Sequence, residues 1–505
     1  MKLRTFLGLL CMANAFPVVA QDANIMVNSV PVTAPVLKGR AVNPLAWLSI
    51  ENRSDKEVTI KYISFYVNAS TIQDVEHLEI YAADTLHHFS TSKLLCSFTP
   101  VHKHMTVEIK ATAKQYIWIN AVLKKSANID HVLEVHAISL LTGEGRQLRV
   151  KEAAASYTER MGIVLRKAGE NGVHTYRIPG LITTDQGTLI AVYDARYNSS
   201  RDLPGNIDIA MSRSTDGGRT WQPMKIIMNM GLPKENNGVG DPSVLFDPVT
   251  KKIWVAALWS KGNHAIAGSK PGLSPEETGQ FVLVNSEDDG ITWSSPINIT
   301  SQVKNPSWHI LFQGPGNGIA MHNGTLVFPA QYWDENRLPH STIIYSEDHG
   351  GNWKTASGAK PNTTESQLVE TSPGTLMLNM RDNRGEFRSV ATTTDMGGYW
   401  TEHFTSQSAL PDPVCQGSFI KAMFKGKSVL FFSNPNSSHH RDSITIKAST
   451  DMGNTWPSAT QLLVDERECY GYSALTQIDE NTIGILYEGV GELYFVRIPI
   501  KTMLR

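Results

Sequence analysis

The residues of this chain that could do chemistry are scattered arginines, carboxylates and tyrosines, because the compact motifs of common enzymes are missing. The sequence has no Walker loop, no G-x-S-x-G elbow and no dinucleotide-binding G-x-G-x-x-G after a strand. Phosphoryl transfer, serine hydrolysis and hydride transfer therefore have no motif to support them. Neither C-x-x-C nor H-E-x-x-H occurs, so no metal site is indicated.

Three arginines, Arg177, Arg381 and Arg441, stand 204 and 60 residues apart. A guanidinium is a planar, permanently charged fork that suits a carboxylate. Any one of these arginines alone would more commonly be a surface residue or half of a structural ion pair. Only a closed fold could bring all three arginines to one anion. Whether they bind an anion together therefore depends on the elements that position them.

A repeated pattern, S-x-D-x-G-x-T-W, supplies those elements. The five copies begin at residues 214, 286, 346, 393 and 449, with the copy at 393 the weakest. Their mean spacing of about 59 residues is too long for a helical solenoid and suits a four-stranded propeller blade with one long loop. The stretch from 160 to 505 has room for about six such blades.

The repeat has a local structural mechanism. The aspartate accepts backbone N–H bonds in a tight turn, the glycine supplies a positive φ, and the serine or threonine bonds the turn backbone. The tryptophan then enters the apolar space between neighbouring sheets. We therefore predict structural and not catalytic roles for Asp216, Asp288, Asp348 and Asp451.

The stretch 21–155 alternates polar and apolar residues and is rich in β-branched side chains, which predicts strands packed as a β-sandwich. Residues 150–162, VKEAAASYTERMG, are predicted to be a short linker or a helical turn. The fold class expected is all-β: a six-bladed β-propeller over 160–505, preceded by a smaller β-sandwich domain over 21–155.

The N-terminus, MKLRTFLGLLCMANAFPVVAQD, has a basic start, an apolar middle and small residues before Gln21. It predicts a signal peptide over residues 1–20, cleaved near Ala20, and a secreted or periplasmic product. No other stretch approaches the roughly 18 apolar residues needed to span a bilayer. The balanced formal charge of −2 gives no general attraction to nucleic acid or anionic membrane.

Three cysteines remain after such cleavage: Cys96, Cys415 and Cys469. An odd number at wide spacing is not a disulfide framework. We expect them to be buried free thiols.

The tetrapeptide Tyr176-Arg177-Ile178-Pro179 upstream of the five repeats resembles the bacterial exo-sialidases, the neuraminidases of the retaining six-bladed class. The resemblance covers residue 160 to the C-terminus. It implies hydrolysis of terminal α-linked sialic acid on glycans, glycoproteins or glycolipids through a covalent tyrosyl intermediate, without a metal or cofactor.

The resemblance also implies a site. Arg177, Arg381 and Arg441 match the three arginines that clamp the sugar's carboxylate. Tyr472 matches the nucleophile, although Tyr470 lies two residues away and spacing does not exclude it. The remaining matches are the base Glu365 (alternative Glu370), the acid/base Asp202 (Asp208 being less favoured), the arginine-orienting Glu488, the 4-hydroxyl contacts Arg196 and Asp241, and the pocket residue Gln313.

Other functions stay open at this point. A propeller with these repeats could bind sialoglycans without cleaving them, or it could be a scaffold that docks other proteins. The same catalytic residues could also transfer sialic acid or release an anhydro product. By resemblance, the N-terminal domain could bind carbohydrate through Tyr62, Phe65 or Trp118. The alternative is that these aromatics fill its core.

Overall fold

The computed structural model describes residues 24–68, 71–83, 93–99, 105–111, 114–148, 150–151, 156–233 and 236–504. The predicted signal peptide and the side chain of Phe65 lie outside the described part. The described chain is almost entirely β, which confirms the predicted class. Its helical elements are the short α-helix Thr300–Val303 and the 3-10 turns Ile72–Asp74, Glu170–Gly172, Ser458–Thr460 and Ile500–Thr502. Among them, none has the length and apolar character to cross a bilayer.

The chain forms two compact units. The first takes the described residues up to Val32, together with Pro44–Ala121 and Glu134–Thr158. The second takes Thr33–Asn43, Val122–Leu133 and the chain from Glu159 onwards. Two short segments of the predicted N-terminal domain thus belong to the second unit.

The first unit is a β-sandwich of two sheets. Alternate side chains such as Leu48, Ile50, Ile117 and Ile119 are fully buried, as expected for strands with one face in a core. Two of the aromatic residues considered for carbohydrate binding differ in exposure: Trp118 is buried, whereas Tyr62 is 39% exposed. One sheet contains, in order, Val150–Lys151, Ile25–Pro31, Pro44–Asn52, Lys114–Leu123, Val75–Ala83 and Lys93–Phe98, and the other contains Met105–Ala111, Val58–Val67, Val132–Thr142 and Gln147–Leu148.

The second unit is a six-bladed β-propeller in which each blade is an antiparallel sheet of four main strands. Blade 1 contains Thr175–Thr183, Leu189–Arg196, Ile207–Ser214 and Lys225–Met228, and blade 2 contains Asn237–Phe246, Ile253–Lys261, Gln280–Ser286 and Ile297–Asn298, with Gly316–Asn317 added at its edge. Blade 3 contains Ile310–Gln313, Leu326–Trp333, Pro339–Ser346 and Lys354–Thr355, with the short Ile319–Ala320 and Lys360–Pro361, and blade 4 contains Thr363–Ser372, Thr375–Asp382, Ser389–Thr393 and Thr401–Glu402. Blade 5 contains Ser418–Phe424, Lys427–Pro435, Ile444–Ser449 and Gln461–Asp465, and blade 6 contains Ser473–Asp479, Thr482–Glu488, Leu493–Pro499 and Ser156–Arg166.

The fourth strand of blade 6 corrects the predicted linker. Ser156–Arg166 pairs antiparallel with Leu493–Pro499, and Val36–Lys38 pairs parallel to it. The sequence of this segment suits a strand, but its partner lies more than 300 residues later, beyond the range of any local pattern. This pairing closes the ring, and Tyr193 of blade 1 shares one buried cluster with Phe495 of blade 6.

The five repeats form the turns between the third and fourth strands of blades 1 to 5, and their hydrogen bonds follow the predicted scheme. In blade 2, Asp288 accepts bonds from the Ser286 hydroxyl (2.9 Å), the Thr292 N–H (2.7 Å) and the Thr292 hydroxyl (2.5 Å). Gly290 has a φ of +83° and donates its N–H to Ser286 Oγ at 2.9 Å. The repeat therefore acts as a turn lock.

The direction of the strands separates these turns from the candidate site. In each blade the start of the first strand and the end of the second lie at one end, because the two strands are antiparallel. The loop from the second to the third strand lies at that same end, whereas the turn from the third to the fourth lies at the opposite end. The repeat aspartates are therefore remote from residues on the first end.

We predict that Asp288→Asn lowers the melting temperature and the free energy of unfolding by about 1 kcal/mol, because the amide cannot accept all of the turn's hydrogen bonds. Although desolvation acts to raise it, bonds from Thr292 and Ser286 lower the pKa of Asp288 to about 2. Its contribution is thus complete above pH 4 and is lost as the pH falls towards 2.

Glu287→Gln is the control, since Glu287 sits in the same turn but makes only an exposed ion pair with Lys252. Thermal unfolding at pH 7 and pH 3 measures both variants. Equal losses from the two substitutions would contradict the turn-lock mechanism.

Candidate active site

Three guanidinium groups surround one tyrosine ring. The Cζ atoms of Arg177 and Arg441 lie 5.4 and 5.9 Å from the centre of the Tyr472 ring. Arg381 donates from Nη1 to the Tyr472 hydroxyl at 3.1 Å. The structure thus brings together the three predicted arginines and the predicted tyrosine, from blades 1, 4, 5 and 6.

All of these side chains come from the same end of the propeller. Arg177 lies near the start of the first strand of blade 1, and Arg381 near the end of the second strand of blade 4. Arg441 lies in the loop between the second and third strands of blade 5, and Tyr472 directly precedes the first strand of blade 6. Antiparallel pairing within each blade therefore explains their convergence.

A buried carboxylate, Glu488, holds the first arginine. It accepts bonds from Arg177 Nε at 3.0 Å and Nη2 at 3.4 Å, and from the backbone N–H groups of Ile178 at 2.9 Å and Tyr472 at 3.0 Å. The Glu488 side chain is fully buried. One carboxylate therefore fixes an arginine and the backbone of the tyrosine together.

Glu365 contacts both Tyr472 and Arg381. The Tyr472 hydroxyl donates a short hydrogen bond to Glu365 Oε1, and Arg381 Nη1 donates to Oε2 at 2.7 Å. Burial, followed by the nearby Glu365 charge, raises the pKa of Tyr472 well above its usual value. The resting phenol is therefore protonated, with a base already at its oxygen.

Asp202 lies at the rim, on the loop between the second and third strands of blade 1. Its side chain is 63% exposed, and its Oδ1 accepts bonds from Arg196 Nη1 at 2.6 Å and Arg177 Nη1 at 3.3 Å. Desolvation acts to raise its pKa, but the charges of Arg196 and Arg177 hold the pKa of Asp202 below its usual value. The carboxylate is thus ionised in the resting site.

A second group of polar residues lies beside Arg196. Asp194 accepts bonds from Arg196 Nε at 3.0 Å and Nη2 at 2.8 Å, and from the Asp241 N–H at 2.9 Å. Burial raises the pKa of Asp194 to about 6 and, with the Asp194 charge, raises that of Asp241 well above its usual value. The Gln313 amide donates a short hydrogen bond to the Asp241 carbonyl.

Comparisons with known proteins identify the family. The BNR repeat-like domain family matches residues 178–481. A sialidase of Bacteroides fragilis is 47% identical over 403 residues, which cover 77% of this chain and 74% of that protein. The chain belongs to the bacterial exo-α-sialidases. A sialidase of Micromonospora viridifaciens is 34% identical over 340 residues, covering 65% of this chain and 52% of that protein. The solved Hadza microbial sialidase Hz136 is 39% identical, with a TM-score of 0.88, and covers 94% of this chain and 100% of that chain.

The alternatives left open by the sequence occupy different places in the sialidase. The ring of Tyr470 packs on Arg177, whose Cζ is 4.8 Å from the ring centre, and its carbonyl accepts a bond from Arg441. Glu370 lies towards the other end of its strand and bonds His322. Asp208 bonds Asn229 at 3.0 Å. Tyr470 thus contacts two of the three arginines, whereas the bonds described for Glu370 and Asp208 lead to residues outside the cluster.

Sequence reasoning missed Asp194, although a signal for it existed. Asp194 and Arg196 are two residues apart in the strand Leu189–Arg196, so their side chains share one face, and this spacing is visible in the sequence. Cys96, Cys415 and Cys469 are free thiols, as expected, but only Cys415 and Cys469 are buried, whereas Cys96 is half-buried. Cys415 packs with Ile178 and Tyr472 in a small buried cluster at the site, which no sequence pattern indicated.

The sialidase should depend strongly on Glu488. We predict that Glu488→Gln reduces the free energy of unfolding by about 3 kcal/mol, because Arg177 would stay buried without its counter-charge. Turnover of a fluorogenic sialoside should fall as well. Thermal unfolding and steady-state kinetics measure the two effects, with the exposed Glu480→Gln as the control. A stable, fully active Glu488→Gln enzyme would refute this assignment.

Proposed function

We propose that the enzyme hydrolyses terminal α-linked sialic acid from sialylated glycans with retention of configuration, through a covalent intermediate on Tyr472. The observation that carries the proposal is the arrangement of Arg177, Arg381 and Arg441 around a tyrosine that is hydrogen-bonded to Glu365. This arrangement supports the proposal because guanidinium groups suited to an anion lie around a tyrosine whose hydroxyl already has a carboxylate as its hydrogen-bond acceptor.

The anion is the substrate's carboxylate. Sialic acid carries it on the anomeric carbon, so binding the carboxylate also positions the reacting carbon. Three guanidinium groups provide the charge and the donors for this grip. Arg196 and Asp241 are proposed to contact the sugar's 4-hydroxyl. Gln313 helps to position Asp241, because its amide donates a hydrogen bond to the Asp241 carbonyl.

A phenol suits attack on this carbon. A carboxylate nucleophile would be repelled by the substrate's own carboxylate, whereas a neutral tyrosine is not; tyrosine nucleophiles are the known sialidase exception among glycosidases. As the Tyr472 oxygen bonds the anomeric carbon, its proton passes to Glu365. The bond to the leaving oxygen breaks, and Asp202 protonates that oxygen.

In the second half of the reaction, hydrolysis of the covalent intermediate, Asp202 acts as the base and Glu365 as the acid. Water attacks the anomeric carbon and gives its proton to Asp202, while the Tyr472 oxygen leaves and recovers its proton from Glu365. Asp202 must carry a proton in the first step. A substrate carboxylate partly neutralises Arg177, so substrate binding is expected to raise the pKa of Asp202 and favour protonation.

Tyr472→Phe tests the nucleophile. We predict that turnover of sialyllactose falls by at least about 10³-fold, because no oxygen remains to form the intermediate. Tyr470→Phe, which keeps the ring on Arg177, should retain activity close to that of the unmodified enzyme. Released sugar is identified by mass spectrometry, and proton NMR should show the α-anomer as the first product.

Each other result has a defined meaning. Binding without release would favour a sialoglycan-binding propeller, and transfer to an acceptor or an anhydro product would favour the two other reactions of the same residues. Unchanged turnover in Tyr472→Phe would exclude Tyr472 as the nucleophile.

Asp202→Asn tests the acid. We predict a loss of about 10²- to 10⁴-fold on sialyllactose, whose leaving oxygen needs a proton. The loss should be much smaller on an aryl sialoside, since a phenolate leaves without one. Exposed Asp185, paired with Lys251, provides the control Asp185→Asn. If Asp202→Asn lost the same fraction of activity on sialyllactose and on the aryl sialoside, Asp202 would not be the acid.

A further inference from the structure

The loop Pro411–Gln416 directly precedes the first strand of blade 5 and supports the site in three ways. The Val414 carbonyl accepts a bond from Arg441 Nη2 at 3.0 Å. The buried Cys415 side chain packs against Tyr472. Gln416 Oε1 accepts the Ser473 N–H at 3.1 Å, next to Tyr472 in the chain. The loop thus touches both the third arginine and the segment that carries the tyrosine.

The backbone of this loop is strained. Val414 has a φ of +56°, a left-handed conformation that is strongly disfavoured for a β-branched residue. Such a conformation persists only when the surrounding structure holds it in place. The Val414 carbonyl is the group aimed at Arg441, so whatever holds the loop also orients that arginine.

Asp412 holds the loop. Its side chain, in a residue only 1% exposed, accepts the Cys415 N–H through Oδ2 at 3.0 Å and Asn434 Nδ2 through Oδ1 at 3.1 Å. Asn434 also donates to the Pro411 carbonyl at 2.8 Å. Arg388 Nη1 lies 3.5 Å from Asp412 Oδ2 and donates to the Cys415 carbonyl. Both ends of the loop are therefore fixed around one carboxylate.

Buried polar residues of blades 4 and 5 complete the support. Lys447 donates to Asn434 Oδ1 at 2.8 Å, and Arg388 donates from Nε to Asn379 Oδ1 at 2.7 Å. Lys447 and Arg388 are each 1% exposed. Polar side chains this deeply buried are costly unless they are hydrogen-bonded. These bonds therefore tie the loop to the body of both blades.

The same arrangement occurs twice more at the site. Glu488 pairs with Arg177 and accepts the N–H of Ile178, whose φ is +57°. Asp194 pairs with Arg196 and accepts the N–H of Asp241, whose φ is +60°. In both cases a buried carboxylate joins an arginine to a positive-φ, non-glycine residue at a register shift within a strand. Asp412 is a related example, because it pairs with Arg388 and accepts the N–H of Cys415, the residue that follows Val414.

We propose that Asp412 is a positioning residue, which acts through the Pro411–Gln416 loop to hold Arg441 and Tyr472 in their working orientation. The inference rests on the proposed function, since it assigns Arg441 to the substrate's carboxylate. Asp412 itself touches neither Arg441 nor the Tyr472 side chain in the contacts described above; its effect passes through Val414 and Cys415.

A double-mutant cycle with Arg441 tests this. Asp412→Ala is expected to lower kcat/KM by about 10- to 100-fold, mainly through KM, because a small misplacement of a binding group has an effect of that order. In an Arg441→Ala background the same substitution should have little further effect on KM, since Arg441, through which Asp412 acts on substrate binding, is gone. An effect that passes through Cys415 to Tyr472 would remain in kcat. A purely structural role would give additive losses.

Asp247→Asn is the matched control. Asp247 is a fully buried turn carboxylate in blade 2 that accepts the Val249 N–H, the Thr250 hydroxyl and a bond from His349. The Asp247→Asn substitution should lower the melting temperature while leaving KM unchanged. Asp412→Asn, which keeps the shape of the side chain, is the second variant. It should raise KM less than Asp412→Ala does, and it keeps the test possible if Asp412→Ala fails to fold.

The outcomes separate the two proposals. If Arg441→Ala alone leaves KM unchanged, the carboxylate clamp is wrong, and the role of Asp412 falls with it. If Arg441→Ala raises KM but the Asp412 and Arg441 losses are additive, only the inference about Asp412 is overturned. A rise in KM for Asp247→Asn equal to that for Asp412→Asn would also overturn it.

Discussion

The pairing of buried guanidinium groups with counter-charges is the constraint on which the rest of this site depends. Arg177 and Arg441 both lie within 6 Å of the Tyr472 ring centre, and Arg381 touches its hydroxyl. Charged groups that are partly removed from water are stable only if counter-charges or hydrogen-bond acceptors lie close by. Glu488 and Glu365 supply them for two of the arginines, while Arg441 is held by backbone carbonyls.

These counter-charges also shape the backbone. Glu488 and Asp194 each bond a backbone N–H at a residue held in a left-handed conformation, and Asp412 bonds the N–H that follows such a residue. Strain of this kind requires a rigid surrounding structure. The propeller provides it, because neighbouring blades pack through continuous aliphatic clusters and the ring is closed by a strand from its own N-terminal side.

The electrostatics of the resting site are set for a substrate that brings its own negative charge. Tyr472 has a raised pKa next to Glu365, and Asp202 has a lowered pKa next to two arginines. Burial and the Glu365 charge cause the first shift, whereas the charges of Arg196 and Arg177 cause the second. In the proposed mechanism, the substrate's carboxylate would partly neutralise Arg177. The proposed mechanism uses two proton transfers, one between Tyr472 and Glu365 and one between Asp202 and the leaving oxygen. Glu365 and Asp202 lie on blades 4 and 1, so the ring geometry sets their separation.

The sequence by itself determined the blade pattern and the turn chemistry. Each repeat places an aspartate, a glycine and a hydroxyl or amide side chain within eight adjacent residues, and their hydrogen bonds form within that same short segment. The resemblance built on Arg177 and the repeats also named the arginines and the tyrosine that the structure brings together. Only the tertiary structure decided that Glu365 pairs with Arg381, that Ser156–Arg166 closes blade 6, and that Asp412 lies behind Val414 and Cys415. Those contacts join residues from different strands, loops or blades, up to hundreds of positions apart, so they depend on how the ring closes and not on any local pattern.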